Sequence, residues 1–171
     1  MLPHVSLDPI TIRDARPEDL IDVALLAAKL VRLHHAYNPQ RFLRLEPLEP
    51  GYERFLAGQL REPDAVVLVA VVDNRVVAYA YARLEPRNWN ELLDACGKIH
   101  DVYVDESARR RGVARALVNA TLARLYDRGA PRVVLLSAWE NPEAQAFFES
   151  LGFAKTMVEL TRERDARDAS E

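Results

Sequence analysis

The amino-acid sequence predicts an α+β domain of the mixed α/β kind, in which a central, mostly antiparallel sheet contains one parallel strand pair and is flanked by four helices. Short runs rich in valine, alanine and tyrosine, separated by turn residues, are typical of antiparallel hairpins. Longer stretches carry apolar residues at helical spacing. A strand, helix and strand succession in the second half is typical of a parallel crossover.

The first third of the chain predicts one strand and two helices. Residues 10–13 alternate apolar and polar side chains, as expected for a strand. Residues 17–19, Pro-Glu-Asp, mark a helix start, because proline suits the first helical position and acids suit the positive end of the helix dipole. This helix is predicted to end near His35, and a second helix is predicted over residues 52–60.

A β-hairpin is predicted next. Residues 65–72 and 75–84 are strand-like runs, and Asp-Asn at residues 73–74 fits a two-residue hairpin turn. Residues 85–97 are predicted to form a loop, with a short helix around residues 91–95.

The parallel crossover is predicted in the second half. Residues 98–104 fit a strand, residues 105–108 a turn, and residues 109–127 a helix that Gly129 ends. The apolar run over residues 132–138 predicts a buried strand parallel to the first.

The remaining elements are a helix over residues 142–150 and a last strand over residues 153–160. We therefore expect a single domain over residues 1–162, followed by a charged C-terminal tail over residues 163–171.

Composition limits the function classes. The chain has 171 residues, 49% of them hydrophobic and 29% charged, which is typical of one globular domain. A net charge of −3 argues against nucleic acid as a partner, because phosphate neutralisation needs a basic face. The sequence offers no long apolar run and no signal-peptide pattern, and its one cysteine fits a reducing compartment. We expect a cytoplasmic protein without a membrane partner.

An arginine-rich helix start after a strand and a turn predicts a phosphate site. Its residues are Arg109, Arg110, Arg111, Gly112, Val113 and Ala114. The first N–H groups of a helix lack internal partners and carry partial positive charge, and a glycine lets a phosphate approach them. A solvated helix start is the plain alternative. An RNA contact is a remote one, which the acidic net charge disfavours.

The chain resembles the GNAT superfamily of N-acetyltransferases through two signatures in register. The first, Arg or Gln, two residues, Gly, one residue, then Gly or Ala, is matched by Arg109, Gly112 and Ala114. The second is Asn, two residues, Ala, three residues, usually Tyr, then Gly-Phe. The corresponding residues here are Asn141, Ala144, Phe148, Gly152 and Phe153. Residues 12–15 and 17–20 are similar to the opening of the family. The resemblance covers nearly the whole chain and implies a GNAT-like fold and an acyl-CoA-dependent N-acetyltransferase.

The resemblance also implies how acetyl-CoA, the co-substrate, would be held. The two parallel strands would start paired and then splay, with the pantetheine arm in the gap against the backbone of Val102, Tyr103 and Val104. The adenosine end would lie near the arginines of the helix start, and Asn141 would contact the cofactor at the opposite wall. The acceptor stays open among small amines, polyamines, amino acids, antibiotics and protein N-termini.

The resemblance also implies that Phe148 lies at the cofactor. This residue is the main departure from the family. A tyrosine is usual there and is thought to protonate the departing thiolate. Phenylalanine has no proton to give, so either water supplies it or turnover is slow. The alternative function is a catalytically weak acyl-CoA-binding regulatory module.

Acyl transfer to an amine requires a base. A lysine-like amine is almost all ammonium at pH 7, and removing its proton costs roughly 4.6 kcal/mol. His100 is the predicted base, because it lies beside the splay and imidazole titrates near neutrality. A histidine bonded into the sheet face is an equal alternative. Asp101 is the second catalytic candidate, and strand alternation predicts that it lies on the opposite face from His100.

Acceptor contacts are predicted at Tyr37 and Asn38, after the first helix, and at Trp89, in the loop after the third strand, because these regions border the acceptor in the superfamily. Ordinary packing is the alternative for both aromatic side chains. His34 and His35 are adjacent in the sequence and would not chelate one metal well, so no metal is expected.

Two further expectations concern Cys96 and the sheet edge. A thiol hydrolase using Cys96, in the loop before His100, ranks below the transferase, because such catalytic partners are usually distant in the chain. The last strand leaves an exposed edge that would invite a second subunit, so a homodimer is expected.

Overall fold

A computed structural model describes residues 9–164 and contains five strands and four α-helices in that range. The strands are β1 (Thr11–Asp14), β2 (Ala65–Val72), β3 (Arg75–Glu85), β4 (Cys96–Val104) and β5 (Val133–Leu135). The helices are α1 (Leu20–Tyr37), α2 (Glu49–Gln59), α3 (Val113–Asp127) and α4 (Pro142–Glu149). Single 3₁₀ turns, Pro17–Asp19 and Glu106–Ala108, precede α1 and α3.

The five strands form one sheet in the order β1-β2-β3-β4-β5. Neighbours are antiparallel except β4 and β5, which are parallel. The predicted fold class is therefore confirmed. The hairpin between β2 and β3 is confirmed as well, since Asp73 and Asn74 have φ of 51° and 58°, as the tight turn requires.

Alternation along β3 assigns the two faces of the sheet. Ala78, Ala80 and Ala82 lie in the hydrophobic core under α3, where small side chains let that helix come close. Tyr79 and Tyr81 point the other way, into the core under α1 and α2. The sheet is thus a middle layer, and its tyrosine face lies beneath the α1–α2 pair.

The helix after β4 begins four residues later than predicted, at Val113. Arg110 and Gly112 have φ of 58° and 78°, a left-handed conformation that no α-helix contains. The arginines of residues 109–111 therefore form a loop that leads into α3.

The strand after α3 is shorter than predicted. Instead of a buried strand over residues 132–138, β5 covers only Val133–Leu135, and all three residues are half-buried. Its last pair joins Leu135 to Ile99, directly before an irregularity at His100 that ends the regular row of β4 partners.

Two other predicted elements are wrong. The β3–β4 loop contains a single bridge between Asn88 and Leu93 in place of the short helix at residues 91–95. Residues 153–160 form no strand, because the described chain brings no partner to them; Met157 and Leu160 are 82% and 91% exposed. Glu159 of this segment is ion-paired with Arg41 of the α1–α2 connection.

The predicted tail lies mostly outside the described residues, which end at residue 164. Within residues 9–164 no helix is both long and apolar enough to cross a membrane. The same range holds no cluster of three or more His, Cys, Asp or Glu side chains that could bind a metal ion. The expected cytoplasmic location and the expected absence of a metal stay predictions.

Candidate active site

A β-bulge in β4 positions the two candidate catalytic residues. Tyr81 pairs with Asp101 and Ala82 with Ile99, so His100 is an extra residue without a partner on β3. The extra residue resets the alternation of β4. The prediction that Asp101 and His100 lie on opposite faces is therefore wrong, since both face the α1–α2 layer.

The His100 ring is held by two partners from β3. It stacks on the Tyr81 ring, with centroids 5.2 Å apart and ring planes 23° from parallel. Its Nε2 lies 2.8 Å from Oε1 of Glu85. About a third of each of these two side chains is exposed, so the pair can exchange protons with a bound molecule.

Asp101 is the less solvated of the two candidates. Its Oδ2 accepts a hydrogen bond from the Tyr79 hydroxyl at 3.0 Å. Burial raises the pKa of the Asp101 carboxyl above its usual range, against the opposing effect of that hydrogen bond. Among residues 9–164 no lysine or arginine forms an ion pair with Asp101. The carboxyl can thus act as a proton acceptor or as a site for a cation.

The gap between β4 and β5 opens next to this pair. Pairing covers only Gly97, Lys98 and Ile99 of β4, so the β5-side edge of residues 100–104 has no strand partner in the described chain. The predicted splay is present, and Val102, Tyr103 and Val104 line it. Their expected role in binding the cofactor stays a prediction.

The N-terminus of α3 lies just beyond the end of β4. Gly112 is the cap residue; no side chain caps the helix, and its first turn contains no acid. A side-chain atom built at Gly112 would contact nothing within 4 Å, so the space above the first N–H groups is open. Arg109 turns back towards the strand, where its Nε donates to the Val104 carbonyl at 3.2 Å. Its guanidinium carbon is 5.8 Å from the centre of the Tyr103 ring.

The second signature maps onto α4. The Asn141 Oδ1 accepts a hydrogen bond from the Ala144 N–H at 3.1 Å, so this side chain caps α4 and keeps its NH₂ group for another partner. The Phe148 ring is half-buried against the α3-side core, 5.2 Å from the ring of Phe147 and 5.7 Å from that of Phe153.

The predicted acceptor residues are not all brought together. Tyr37 and Asn38 end α1, and Asn38 Oδ1 accepts hydrogen bonds from the backbone of the following turn. Trp89 is 76% exposed on the β3–β4 loop, where it lies against Arg87. The His34 ring lies edge-on to the rings of Tyr37 and Phe42, with centroids 6.0 Å and 4.9 Å away.

Cys96 was predicted to lie in a loop, but it is the first residue of β4 and is only 2% exposed. Burial raises the pKa of its thiol, which is the opposite of what a nucleophilic cysteine needs. The structure therefore disfavours a thiol hydrolase.

Three neighbours of the site were not found from the sequence: Tyr79, Tyr81 and Glu85. The repeated Ala-Tyr alternation in β3 places the tyrosines on one face. That signal was present in the sequence. Their contacts to His100 and Asp101 depend on the β4 bulge, and the residue types in β4 do not predict a bulge at that position.

The sequence matches the Acetyltransferase (GNAT) family over residues 29–153. This match covers most of the chain, and the mixed sheet with its splayed parallel pair fits it. The protein belongs to the GNAT acetyltransferase family and is an acyl-CoA-dependent acyltransferase by membership of that family.

Comparison with individual proteins gives two kinds of relative. An N-alpha-acetyltransferase of Saccharolobus solfataricus is 29% identical over 93% of this chain and 89% of its own length. A mycothiol acetyltransferase of Cellulomonas flavigena is 41% identical over 54% of this chain. The matched region spans only 28% of that longer relative.

Among solved structures, the aminoglycoside N-acetyltransferase AAC(6')-Iy in complex with CoA superimposes with a TM-score of 0.75. The match covers 96% of this chain and 100% of that one, at 20% identity, so it supports the fold alone. The same enzyme is known with the bisubstrate analogue CoA-S-monomethyl-acetylneamine, at a TM-score of 0.73, 19% identity and coverage of 92% and 99% of the two chains.

Proposed function

We propose that the protein transfers the acetyl group of acetyl-CoA to a primary amine of a small molecule or peptide, by direct attack in a ternary complex. The observation that carries this proposal is the position of the β4 bulge. It places His100 and Asp101 where β4 leaves β5, at one end of a gap whose other end lies by the open N-terminus of α3.

The residues present fit acetyl-CoA, which supplies the activated acyl group as a thioester. The uncapped N–H groups of Val113 and Ala114 would hold the pyrophosphate, and the arginines of residues 109–111 would add charge around it. The backbone of Val102, Tyr103 and Val104 would bind the pantetheine amides, and the Asn141 NH₂ group would contact the opposite wall. The side chain of Phe148 would pack against the arm.

The acceptor must lose a proton before it attacks. His100 is positioned for this by Tyr81 and Glu85, and Asp101 would hold the incoming ammonium beside it. The amine nitrogen then forms a bond to the acyl carbon, the carbon–sulfur bond breaks, and the nitrogen proton passes through His100 to solvent. Proton removal of this kind contributes typically 10²–10⁴-fold to rate.

The departing sulfur needs little help. A thiol has a pKa of roughly 8.5, so a thiolate is a stable leaving group near neutral pH and water can protonate it. This argument favours a working enzyme in spite of Phe148. The second candidate, a catalytically weak acyl-CoA-binding regulatory module, is motivated by that residue alone.

The relatives support both acceptor classes. The Saccharolobus solfataricus relative, matched over most of its length, favours a peptide N-terminus. The mycothiol acetyltransferases favour a small molecule, over a matched region that spans only part of those longer relatives.

The test is release of the CoA thiol from acetyl-CoA with a panel of alkylamines, polyamines, amino acids and peptides, with the products identified by mass. Acetylation of at least one amine well above background hydrolysis is the expected result. Tight acetyl-CoA binding without transfer to any acceptor would favour the regulatory module.

We further propose that the protein is a homodimer whose interface includes the free edge of β5 and residues 153–160. Three large apolar side chains of that segment, Met157, Val158 and Leu160, are exposed, and so are Leu136 and Trp139 just after β5. Among residues 9–164, β5 pairs only with β4, and residues 153–160 belong to no strand. Such an edge is a favourable site for pairing between two copies.

A further inference from the structure

The face of the sheet beneath α1 and α2 carries a continuous series of rings. Tyr52 of α2 lies edge-on to Phe55, with centroids 6.4 Å apart, and Phe55 lies edge-on to Tyr81 at 5.4 Å. Tyr81 in turn stacks on His100 at 5.2 Å. The four rings therefore run from helix α2 across the sheet to the candidate base.

Asp101 closes this series into a frame. It follows His100 directly in β4 and pairs with Tyr81 across the sheet. Burial raises the pKa of the Tyr52 phenol, and the charge of Asp101 raises it further. We use the term aromatic frame for Tyr52, Phe55, Tyr81 and His100 around Asp101. One side of the frame is a carboxyl group and the other sides are ring faces and edges.

The aromatic frame has a buried ring, that of Tyr81, and an exposed ring, that of Phe55. Tyr81 is 5% exposed, and its hydroxyl donates to Oε1 of Gln59 at 2.9 Å. Phe55, by contrast, is 45% exposed and lies beside the buried Tyr81. Phe55 is thus separated from His100 by one ring, that of Tyr81, and its exposed surface can be covered by an apolar substituent of a bound molecule.

The charges around the frame are uneven. Arg83 lies at the Tyr81 end, where its Nη1 donates to the same Gln59 Oε1 as the Tyr81 hydroxyl and its Nε is 4.0 Å from Oε1 of Glu85. Glu85 already partners His100, and the described residues offer Asp101 a tyrosine hydroxyl but no arginine or lysine. A carboxylate in partial burial gains most from a cation that arrives with the ligand, and aromatic faces attract the same cation.

We propose that the acceptor is an arylalkylammonium or a similarly apolar alkylammonium, with its ammonium group at Asp101 and its apolar body against Phe55. This inference rests on the proposed function, since it assigns the substrate class of the same site. Phe55 is then a specificity-determining residue, distinct from the groups that handle the proton.

The experiment compares 2-phenylethylamine with ethylamine as acceptors at saturating acetyl-CoA. The wild-type protein should prefer 2-phenylethylamine by at least about tenfold in kcat/KM, because the phenyl group adds buried apolar contact. Phe55→Ala should remove most of that preference, and the loss in kcat/KM should be much larger for 2-phenylethylamine, because ethylamine has no phenyl group to contact Phe55. Tyr126→Ala, at a 52% exposed ring on α3 outside the frame, should change neither value.

The outcomes separate this inference from the proposed function. Equal use of the two amines by the wild type, or a preference that survives in Phe55→Ala, would overturn the aromatic-frame assignment and leave an acetyltransferase. Transfer to neither amine nor any other acceptor would overturn the function itself. If Phe55→Ala fails to fold, Phe55→Leu takes its place, and an unchanged preference for 2-phenylethylamine in that variant would count against the frame.

Discussion

The imidazole of His100 stacks on the phenol ring of Tyr81, and this contact exists only because β4 contains a bulge at His100. In a regular strand, residues 100 and 101 would point to opposite faces. The bulge puts both on the α1–α2 side of the sheet, and the pairing of β4 with β5 ends at the same point. One backbone irregularity therefore accounts both for the positions of these two candidate residues and for the gap beside them.

Replacing the base should change the pH dependence of the rate. His100→Ala should lower kcat by roughly 10²-fold or more near pH 7, because the variant lacks the imidazole that is proposed to take the proton from the ammonium. The deficit should shrink as the pH approaches the pKa of the acceptor, where free amine is abundant. The measurement is a pH–rate profile for a single amine in both proteins.

Glu85→Gln is the matched control for that profile. The amide oxygen can still accept a hydrogen bond from the imidazole, so we expect a loss several times smaller than in His100→Ala. Parallel profiles for the wild type and His100→Ala would show that His100 is not the base.

Removing the Asp101 charge should stabilise the fold. Burial raises the pKa of this carboxyl, so the folded state binds its proton more tightly than the unfolded state does. Stability therefore falls as pH rises from the ordinary carboxyl range through the raised pKa, and the deficit is complete above it. Asp101→Asn should raise Tm at pH 7 by about 2 °C or more and lower kcat/KM, with the gain in Tm vanishing below about pH 4.

Asp105→Asn should destabilise the fold at pH 7, in contrast to Asp101→Asn. A hydrogen bond from Lys29 and others from Ser107 lower the pKa of Asp105, so its charge stabilises the fold above the ordinary carboxyl range. This variant should lose about 1 kcal/mol at pH 7, and the loss should shrink as pH falls. Thermal unfolding across pH 3–8 measures the change in Tm of both variants. Changes in Tm of the same sign at pH 7 would refute the assigned environment of Asp101.

A side chain at Gly112 should block the phosphate site. Gly112→Val would fill the open space above the first N–H groups of α3 and should weaken acetyl-CoA binding at least about tenfold by calorimetry. Strain at the positive φ of 78° should also cost about 1–2 kcal/mol in stability.

Gly129→Val isolates the strain from the steric block. Gly129 follows the other end of α3, has a φ of 89° and also has open space around it. This variant should lose similar stability while binding acetyl-CoA as the wild type does. An equal loss of affinity in both variants would mean that destabilisation, and not the position of Gly112, causes the effect.

Restoring the family's usual tyrosine should matter little. Phe148→Tyr is expected to change kcat by less than about threefold, because thiolate departure does not need a strong acid near neutral pH. The variant adds one hydroxyl to a half-buried ring, and thermal unfolding checks that the contacts with Phe147 and Phe153 survive. A rise of tenfold or more would show that proton donation limits the natural enzyme.

Charges on the C-terminal segment should prevent dimer formation. The wild type should have twice the 19.4 kDa mass of one chain by light scattering. The double variant Met157→Lys, Leu160→Lys should be a monomer, because both side chains would have to be buried between copies. Leu92→Lys, at an equally exposed site on the β3–β4 loop, should remain a dimer. A monomeric wild type would exclude the proposal.

Local rules were sufficient for most of the fold. The hairpin at Asp73 and Asn74 was predictable because its turn chemistry lies in the two residues that form it. Helices α1 and α3 followed from the helical spacing of their apolar residues. The strand predicted at residues 153–160 failed because β-propensity describes only a residue's own preference, and a strand also needs a partner edge.

The candidate site was only partly predictable. The spacing of Arg109, Gly112 and Ala114 predicted a phosphate site, and the structure shows an uncapped helix N-terminus at Gly112, because such a terminus is formed by backbone groups close in sequence. The partners of His100 were out of reach, since they depend on register across β3 and β4 and on one inserted residue. Sequence alternation assumes a regular strand, and it failed at the point where the strand is irregular.

Backbone hydrogen exchange with and without acetyl-CoA tests the central claim most directly, since it reports binding and its location together. We predict slower exchange at the amides of Val102–Val104 and at the start of α3, Gly112–Arg115, with β1 and β2 unchanged. Absence of binding, or protection confined to other elements, would contradict the placement of the thioester between β4 and β5 and, with it, the assigned chemistry.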